Sequence, residues 1–186
     1  MKKKIIHITK SIVFYTLTLF LLSYVLVEVF MPHQTVPVFG FKTYVIVSSS
    51  MAADGYNVMD AVVVTRVKED KLAERDIITF RVFVENNQGI PTQIDVTHYI
   101  ADIQTVEGEI IYKTQGAGKG EGDYDIWFDE HENPTEITYE DIIGRVSFKI
   151  PLAGHVIKIF YSPMLLLLIV VNVGIIIVIV KLLKRK

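Results

Sequence analysis

DIITFRVFVENNQGIPTQIDVTHYIADIQ, residues 76–104, decides the fold class. It holds two runs, Asp76–Val84 and Ile94–Gln104, rich in Ile, Val, Thr, Phe and Tyr. Such branched and aromatic side chains suit a pleated surface. Between the runs lies ENNQGIP (85–91), whose Asn, Gly and Pro favour turns. No apolar spacing of 3.6 residues competes here, so the stretch predicts strand, turn, strand. The pattern continues outward on both sides. Upstream lie TYVIV (43–47) and AVVVTRV (61–67), divided by ADGYN; downstream lie EIIYKTQ (109–115) and IIGRVSFKI (142–150). VEGE, GAGKGEGD and DEHENPTE supply the turns between them. A helical turn is expected only at KEDKLAERD (68–76). The middle of the chain is therefore expected to be a mainly β, mostly antiparallel domain of about 130 residues.

Two apolar runs flank that domain. IVFYTLTLFLLSYVLVEVFM (12–31) carries one charge, Glu28, near its outer end. At about 1.5 Å rise per residue, a run of this length matches the roughly 30 Å hydrocarbon core of a bilayer. MLLLLIVVNVGIIIVIV (164–180) is shorter and more apolar. Both are predicted to span a membrane. Lys2, Lys3, Lys4 and Lys10 precede the first run, and Lys181, Lys184, Arg185 and Lys186 follow the second. Basic flanks stay cytoplasmic, so both termini are expected inside and residues 32–163 outside. The expected plan is a basic N-terminus (1–11), a first span (12–31), an extracytoplasmic β domain (32–163), a second span (164–180) and a basic tail (181–186). Retention of the first run is expected over removal as a signal peptide. It is longer than a usual signal h-region, and FMPHQTVP (30–37) offers no small-x-small cleavage site.

Composition narrows the function classes. Residues 32–163 hold 20 Asp and Glu against 11 Lys and Arg. That acidic excess argues against a nucleic-acid partner and suits an extracytoplasmic surface. The chain has no cysteine, which removes disulfides, thiol nucleophiles and Cys-based zinc sites. The glycine-rich GAGKGEGD (116–123) fails as a phosphate loop: Lys113 stands where the first glycine belongs, and no Ser or Thr follows Lys119. A calcium loop from Asp123 fails as well, because its sixth position is Phe128 and its twelfth Pro134.

What remains is nucleophilic chemistry. A serine hydroxyl needs a base within hydrogen-bond reach. Histidine is the usual choice near neutral pH. His98 lies mid-strand in VTHYI, whereas His7 and His33 flank the first span, His131 sits in an acidic loop and His155 is next to the second span. Three serines, Ser48–Ser50, follow the β-branched run in VIVSSSM (45–51).

VIVSSSM (45–51), DAVVVTRV (60–67), DIITFR (76–81), VTHYI (96–100), TQGAGKGEGD (114–123) and IIGRVSFKIPLAG (142–154), in that order, resemble the boxes of type I signal peptidases. The likeness is to the endoplasmic-reticulum and archaeal branch, also found in some Gram-positive bacteria. It implies a signal-peptidase-like antiparallel β domain that removes signal peptides from exported preproteins, working at the membrane lipid surface. No metal or organic cofactor is implied; secretion machinery or accessory membrane proteins are further partners it suggests. The resemblance places Ser50 as nucleophile and His98 as general base, and Ser48 with the Ser50 backbone N–H as oxyanion donors. Asp123 falls at the position of the acid that orients the imidazole, with Asp125 as the alternative should the loop shift register. A Ser–Lys pair is disfavoured, since Lys68 and Lys71 lie in a charged loop that cannot keep a lysine neutral.

The chain departs from the family pattern at several positions. Ser49 and Met59 replace glycines, Ala53 a proline, Gln115 a lysine, Ala117 the first aspartate and Lys119 an asparagine. These departures motivate an alternative, a catalytically impaired relative that binds exported chains or partners; an unrelated surface adhesin or sensor is a more distant one. Val45–Val47 and Ile77–Phe80 are expected to line the substrate pocket. Phe39, Phe41 and Tyr44 are expected at the membrane interface, and Met51 is expected as an apolar pocket or membrane-facing residue.

Overall fold

The computed structural model describes residues 2–86 and 88–160, together with isolated positions between 168 and 184. The expected second span (164–180) lies largely outside the described residues.

Helix α1 covers Lys2–Phe30. Its Ile6–Phe30 stretch, 25 residues, is long and apolar enough to cross a membrane, and no residue of its most apolar window is buried. The basic residues 2–10 expected to precede the span belong to this same helix. Pro32–Gln34 forms a 3₁₀ turn, Thr35–Phe39 the short helix α2, and Gly40, at φ +81°, ends it and turns the chain into strand β1 (Phe41–Val45). Glu28 near the end of α1 accepts a hydrogen bond from Thr35 Oγ1 (2.7 Å) and pairs with Lys42 of β1 (3.0 Å). Tyr24 stacks on Phe41, and Phe39 packs against both Tyr24 and Phe20. Phe39 and Phe41 thus join helix to sheet instead of standing free. Tyr44 turns away to donate to Asp95 Oδ2 (3.1 Å).

The remaining strands are β2 (Ala61–Thr65), β3 (Ile77–Glu85), β4 (Pro91–Val106), β5 (Glu109–Gln115), β6 (Trp127–Phe128), β7 (Pro134–Thr135) and β8 (Ile142–Ile150). Every recorded pairing is antiparallel, in the order β1-β2-β8-β3-β4-β5, with β6 on β3 and β7 on β6. The stretch 76–104 folds as strand, turn, strand, with β3 paired to β4 from Ile77↔Tyr99 to Glu85↔Pro91, but β4 starts three residues earlier than read and the turn is correspondingly shorter. Pro91 is tolerated because it starts the strand. The KEDK region forms a 3₁₀ turn, Glu69–Lys71.

The core lies on one face of this sheet. Ile78, Phe80, Val82, Ile100, Tyr112 and Ile137 are buried together, with Trp127 and Ile142 packed on them. Burying each such side chain contributes about 1.5–3 kcal/mol. Gly144 of β8 touches the backbone of β2: a Cβ there would collide with the Thr65 carbonyl. β1 and β4 are not neighbours in the sheet, yet Tyr44 reaches Asp95 across it. The twist natural to antiparallel strands curls the sheet until its first strand faces its fifth.

Candidate active site

The exit of β1 is held from several directions. Ile46 N–H donates to the Asp60 carbonyl (2.9 Å), and Met59 N–H returns to the Ile46 carbonyl (2.9 Å). The Asp60 carboxylate accepts the backbone N–H groups of Asn57 and Leu152, each at 3.0 Å, and pairs with Lys149. Those backbone N–H groups hold the Asp60 carboxyl below its ordinary value, with Lys149 adding to them against the effect of burial. Met59 takes φ +73°, a left-handed conformation that glycine adopts freely. For a residue with a Cβ it costs roughly 1–2 kcal/mol. Ser49 is not among the positive-φ residues, so a serine in place of glycine is unstrained there.

Beyond this clamp the chain turns through Ser48–Ser50, all exposed, into Met51, which is buried. Ala52 N–H donates to the Ser49 carbonyl (3.0 Å), and Tyr56 N–H to the Met51 carbonyl (3.1 Å). Met51 is the plug that fixes the turn, and Ser50 sits at its mouth. Ser48 Oγ and Ser50 Oγ share a hydrogen bond of 3.1 Å.

His98 faces this turn from β4, paired with Ile78 and only 7% exposed. Its Nδ1 lies 2.7 Å from Asp125 Oδ2. Thr114 Oγ1 donates to the same oxygen (3.1 Å), and Trp127 Nε1 donates in turn to Thr114 Oγ1 (2.8 Å). Lys119 Nζ bonds the other oxygen, Oδ1, at 2.9 Å. The Trp127 ring packs on the imidazole at 5.9 Å. With Nδ1–H donating to the carboxylate, the neutral ring carries its lone pair on Nε2, the form a general base requires.

Gly116, just past β5, joins the two halves. A Cβ at Gly116 would stand 3.0 Å from the Ser50 carbonyl oxygen and 3.5 Å from His98 Nε2 and Cε1. The next residue, Ala117, donates its N–H to the Ser50 carbonyl (2.8 Å). One glycine thus lets the serine turn and the Nε2 edge of the histidine approach the same point. In this arrangement the Ser50 hydroxyl bonds Ser48 and not His98. Nucleophile–base bonds are commonly longer in a ligand-free protein than in the substrate complex.

The expected residues therefore separate clearly. The Ser48–Ser50 turn and the His98 ring both border Gly116. The carboxylate on His98 is Asp125, not Asp123, whose side chain is exposed and whose N–H donates to the Gly120 carbonyl (3.1 Å). The physical reason is that Asp125 N–H returns to the Thr114 carbonyl (2.8 Å) and so sits beside the β4–β5 pair. Lys71, 70% exposed and near Asp70, is no place for a neutral base. Thr114, Lys119 and Trp127, unremarked as site residues in the sequence, complete the acid's surroundings. The one signal that pointed to Trp127 is that it is the chain's single tryptophan. Among the described residues no group of His, Asp and Glu side chains is arranged to hold a metal. Asp129 of the acidic loop instead caps its own turn, accepting from His131 N–H (2.8 Å) and Asn133 N–H (2.9 Å).

A cleft of about 170 Å³ opens beside the serine turn. The end of β1 and the residues just after it, 44–48, form one wall and residues 94–97 of β4 the other, with Ser50 and Met51 at one end. Val45–Val47 line it as expected. Ile77–Phe80 do not: Ile78 and Phe80 are fully buried in the core, and residues of β4 line the cleft instead. A larger groove of about 770 Å³, bordered by His33, Arg66, Arg81 and Glu140, includes none of the serine–histidine constellation. No protein-family model matches this chain, and no curated protein matches it significantly.

Proposed function

We propose that this protein is a membrane-bound serine endopeptidase of the type I signal-peptidase kind, removing N-terminal signal peptides from exported preproteins. The observation that carries the reading is the bridge at Gly116–Ala117, which ties the Ser50 turn to a buried Asp125–His98 pair. In the reaction His98 Nε2 takes the Ser50 proton as Oγ attacks the scissile carbonyl. The Asp125 carboxylate holds the ring and stabilises the imidazolium that forms. Ser48 Oγ and the Ser50 N–H receive the charge developing on the carbonyl oxygen. His98 then protonates the leaving amine; water, giving its proton to His98, attacks the acyl-enzyme ester, freeing the signal peptide as a carboxylic acid and returning the proton to Ser50. An extended substrate lies as a strand in the cleft between β1 and β4.

The finer fold and location belong to the same reading. The β domain would be of the signal-peptidase type, facing outward, with α1 and the run 164–180 as two spans and both termini cytoplasmic. Confining enzyme and preprotein to one membrane raises their effective concentration and offsets weak intrinsic binding. Preprotein cleavage by membranes carrying the parent, Ser50→Ala and His98→Ala chains tests this. Each substitution is expected to lower kcat by about 10³-fold or more, with similar losses in the double variant because the two act as a unit. Cleavage that persists in both would sink the assignment. An inactive parent would favour the impaired relative, a reading motivated by Met59, Ala53 and Ala117.

A further inference from the structure

We propose that Lys119 is a positioning residue of the catalytic pair, holding Asp125 from the side opposite His98 and keeping the imidazole neutral where it must accept the Ser50 proton. The inference rests on the serine-endopeptidase reading above and assigns a purpose to the glycine-rich loop that fails as a phosphate site.

The two oxygens of Asp125 are divided between partners. Oδ2 takes His98 Nδ1 (2.7 Å) and Thr114 Oγ1 (3.1 Å); Oδ1 takes Lys119 Nζ (2.9 Å). Gly118 and Gly122 both lie in left-handed turns, at φ +81° each, and the loop between them carries Lys119. With the ring neutral, ammonium and carboxylate balance. Protonating the ring places a second cation on a carboxylate already neutralised, so the protonated form gains less than it would from Asp125 alone. The hydrogen bond from Asp125 raises the Lys119 ammonium above its ordinary value, against a smaller effect of burial, so the residue stays charged wherever histidine titrates.

The other titratable neighbours do not cancel this arrangement. Asp123 of the loop and Tyr99 of β4 both act on Lys119 in the same direction as Asp125. Asp102 of β4 is engaged by Gln104 and Tyr124. From β5 and β6 the groups facing Asp125 and His98 are the Thr114 hydroxyl and the Trp127 ring, which carry no charge. Lys119 is 39% exposed, so solvent screens its field and the effect is moderate.

The test is the titration of the His98 ring by NMR in the full chain in detergent micelles, its signal identified by loss in His98→Gln. Removing the charge in Lys119→Met should raise the midpoint by about 0.5–1 pH unit, while Lys119→Arg should stay within about 0.2 unit of the parent. The acid limb of the pH profile of kcat/KM should move with the midpoint. Lys119→Gln, which keeps a hydrogen-bond donor without the charge, should behave as Lys119→Met and serves if the latter disturbs the loop. A midpoint that is unchanged or lower in the neutral variants overturns the proposal. Because the titration needs no substrate, a parent that cleaves no preprotein would remove the peptidase reading while leaving the Lys119 answer intact.

Discussion

Asp125 reaches His98 because its own N–H returns to the Thr114 carbonyl, one position from the residue that pairs with Tyr99. Burial pushes its carboxyl up, but hydrogen bonds from His98 and Lys119, with the charges of both, pull it further down, and it lies below the ordinary value. It therefore remains an anion throughout the range in which a histidine titrates, as the orienting role proposed for it requires. Asp125→Asn should keep the shape but lose the preference for the Nδ1–H tautomer, lowering kcat by about 10²–10⁴-fold with little change in KM. Asp123→Asn, altering an exposed side chain, should leave kcat/KM within about twofold. Equal losses in the two variants would contradict the assignment. The serine run and the strand histidine were legible because each sits inside a short local pattern. The acid was narrowed only to Asp123 or Asp125: the choice between them depends on how Gly118 and Gly122 fold a loop whose length alone does not announce register. Ala117 carries no carboxylate, yet its backbone N–H still grips the Ser50 carbonyl, a role to which side-chain identity is blind.

The strands themselves were readable, since period-two runs of branched residues bounded by Gly, Pro and Asn specify a pleated segment wherever it pairs. β5 and β8 have the expected limits, whereas β1 ends at Val45, two residues earlier than read, as the chain leaves for the serine turn. β6 and β7 are two residues each and too short to carry a pattern. What aims the serine is a contact between elements. Gly154 lies in the first turn of helix α3 (Ala153–Phe160), and its N–H donates to the Met59 carbonyl (2.9 Å). A Cβ at Gly154 would stand 2.6 Å from that carbonyl and 2.6 Å from Val45 Cγ1. Gly154→Ala must therefore displace the 59–60 clamp or the end of β1, at a cost of about 1–3 kcal/mol. Thermal unfolding should show the loss, and preprotein cleavage should fall because Ser50 follows Val45 by five residues. Gly120→Ala, at a position with open space and no positive φ, is the control and should match the parent in both assays. A Gly154→Ala chain as stable and active as that control would show that the junction does not aim the turn.

The whole molecule brings together residues that its strand order keeps apart. Between β1 and β4 lie β2, β8 and β3, yet the cleft and the serine–histidine meeting need β1 and β4 face to face. No local pattern encodes that closure, because it follows from the accumulated twist of five strands and from bulges such as that between Val63 and Val64. The attachment of the sheet to α1 is equally non-local: a lone Glu28 in an apolar run reads as an outer-edge charge until Lys42 and Thr35 are seen around it. Lys42 also donates to the Pro32 carbonyl (3.2 Å), so one buried ammonium ties the helix, the following turn and β1 together. With α1 as a span, this cluster would set how far Ser50 stands from the membrane surface. Glu28→Ala and Lys42→Ala should each destabilise the β domain, because each leaves the other charge without its partner. The double variant should lose less than the sum, with an interaction energy of about 1–3 kcal/mol in a double-mutant cycle read by denaturant unfolding in detergent. Strictly additive losses would mean that helix and sheet are stabilised independently and that the β domain is only tethered to α1.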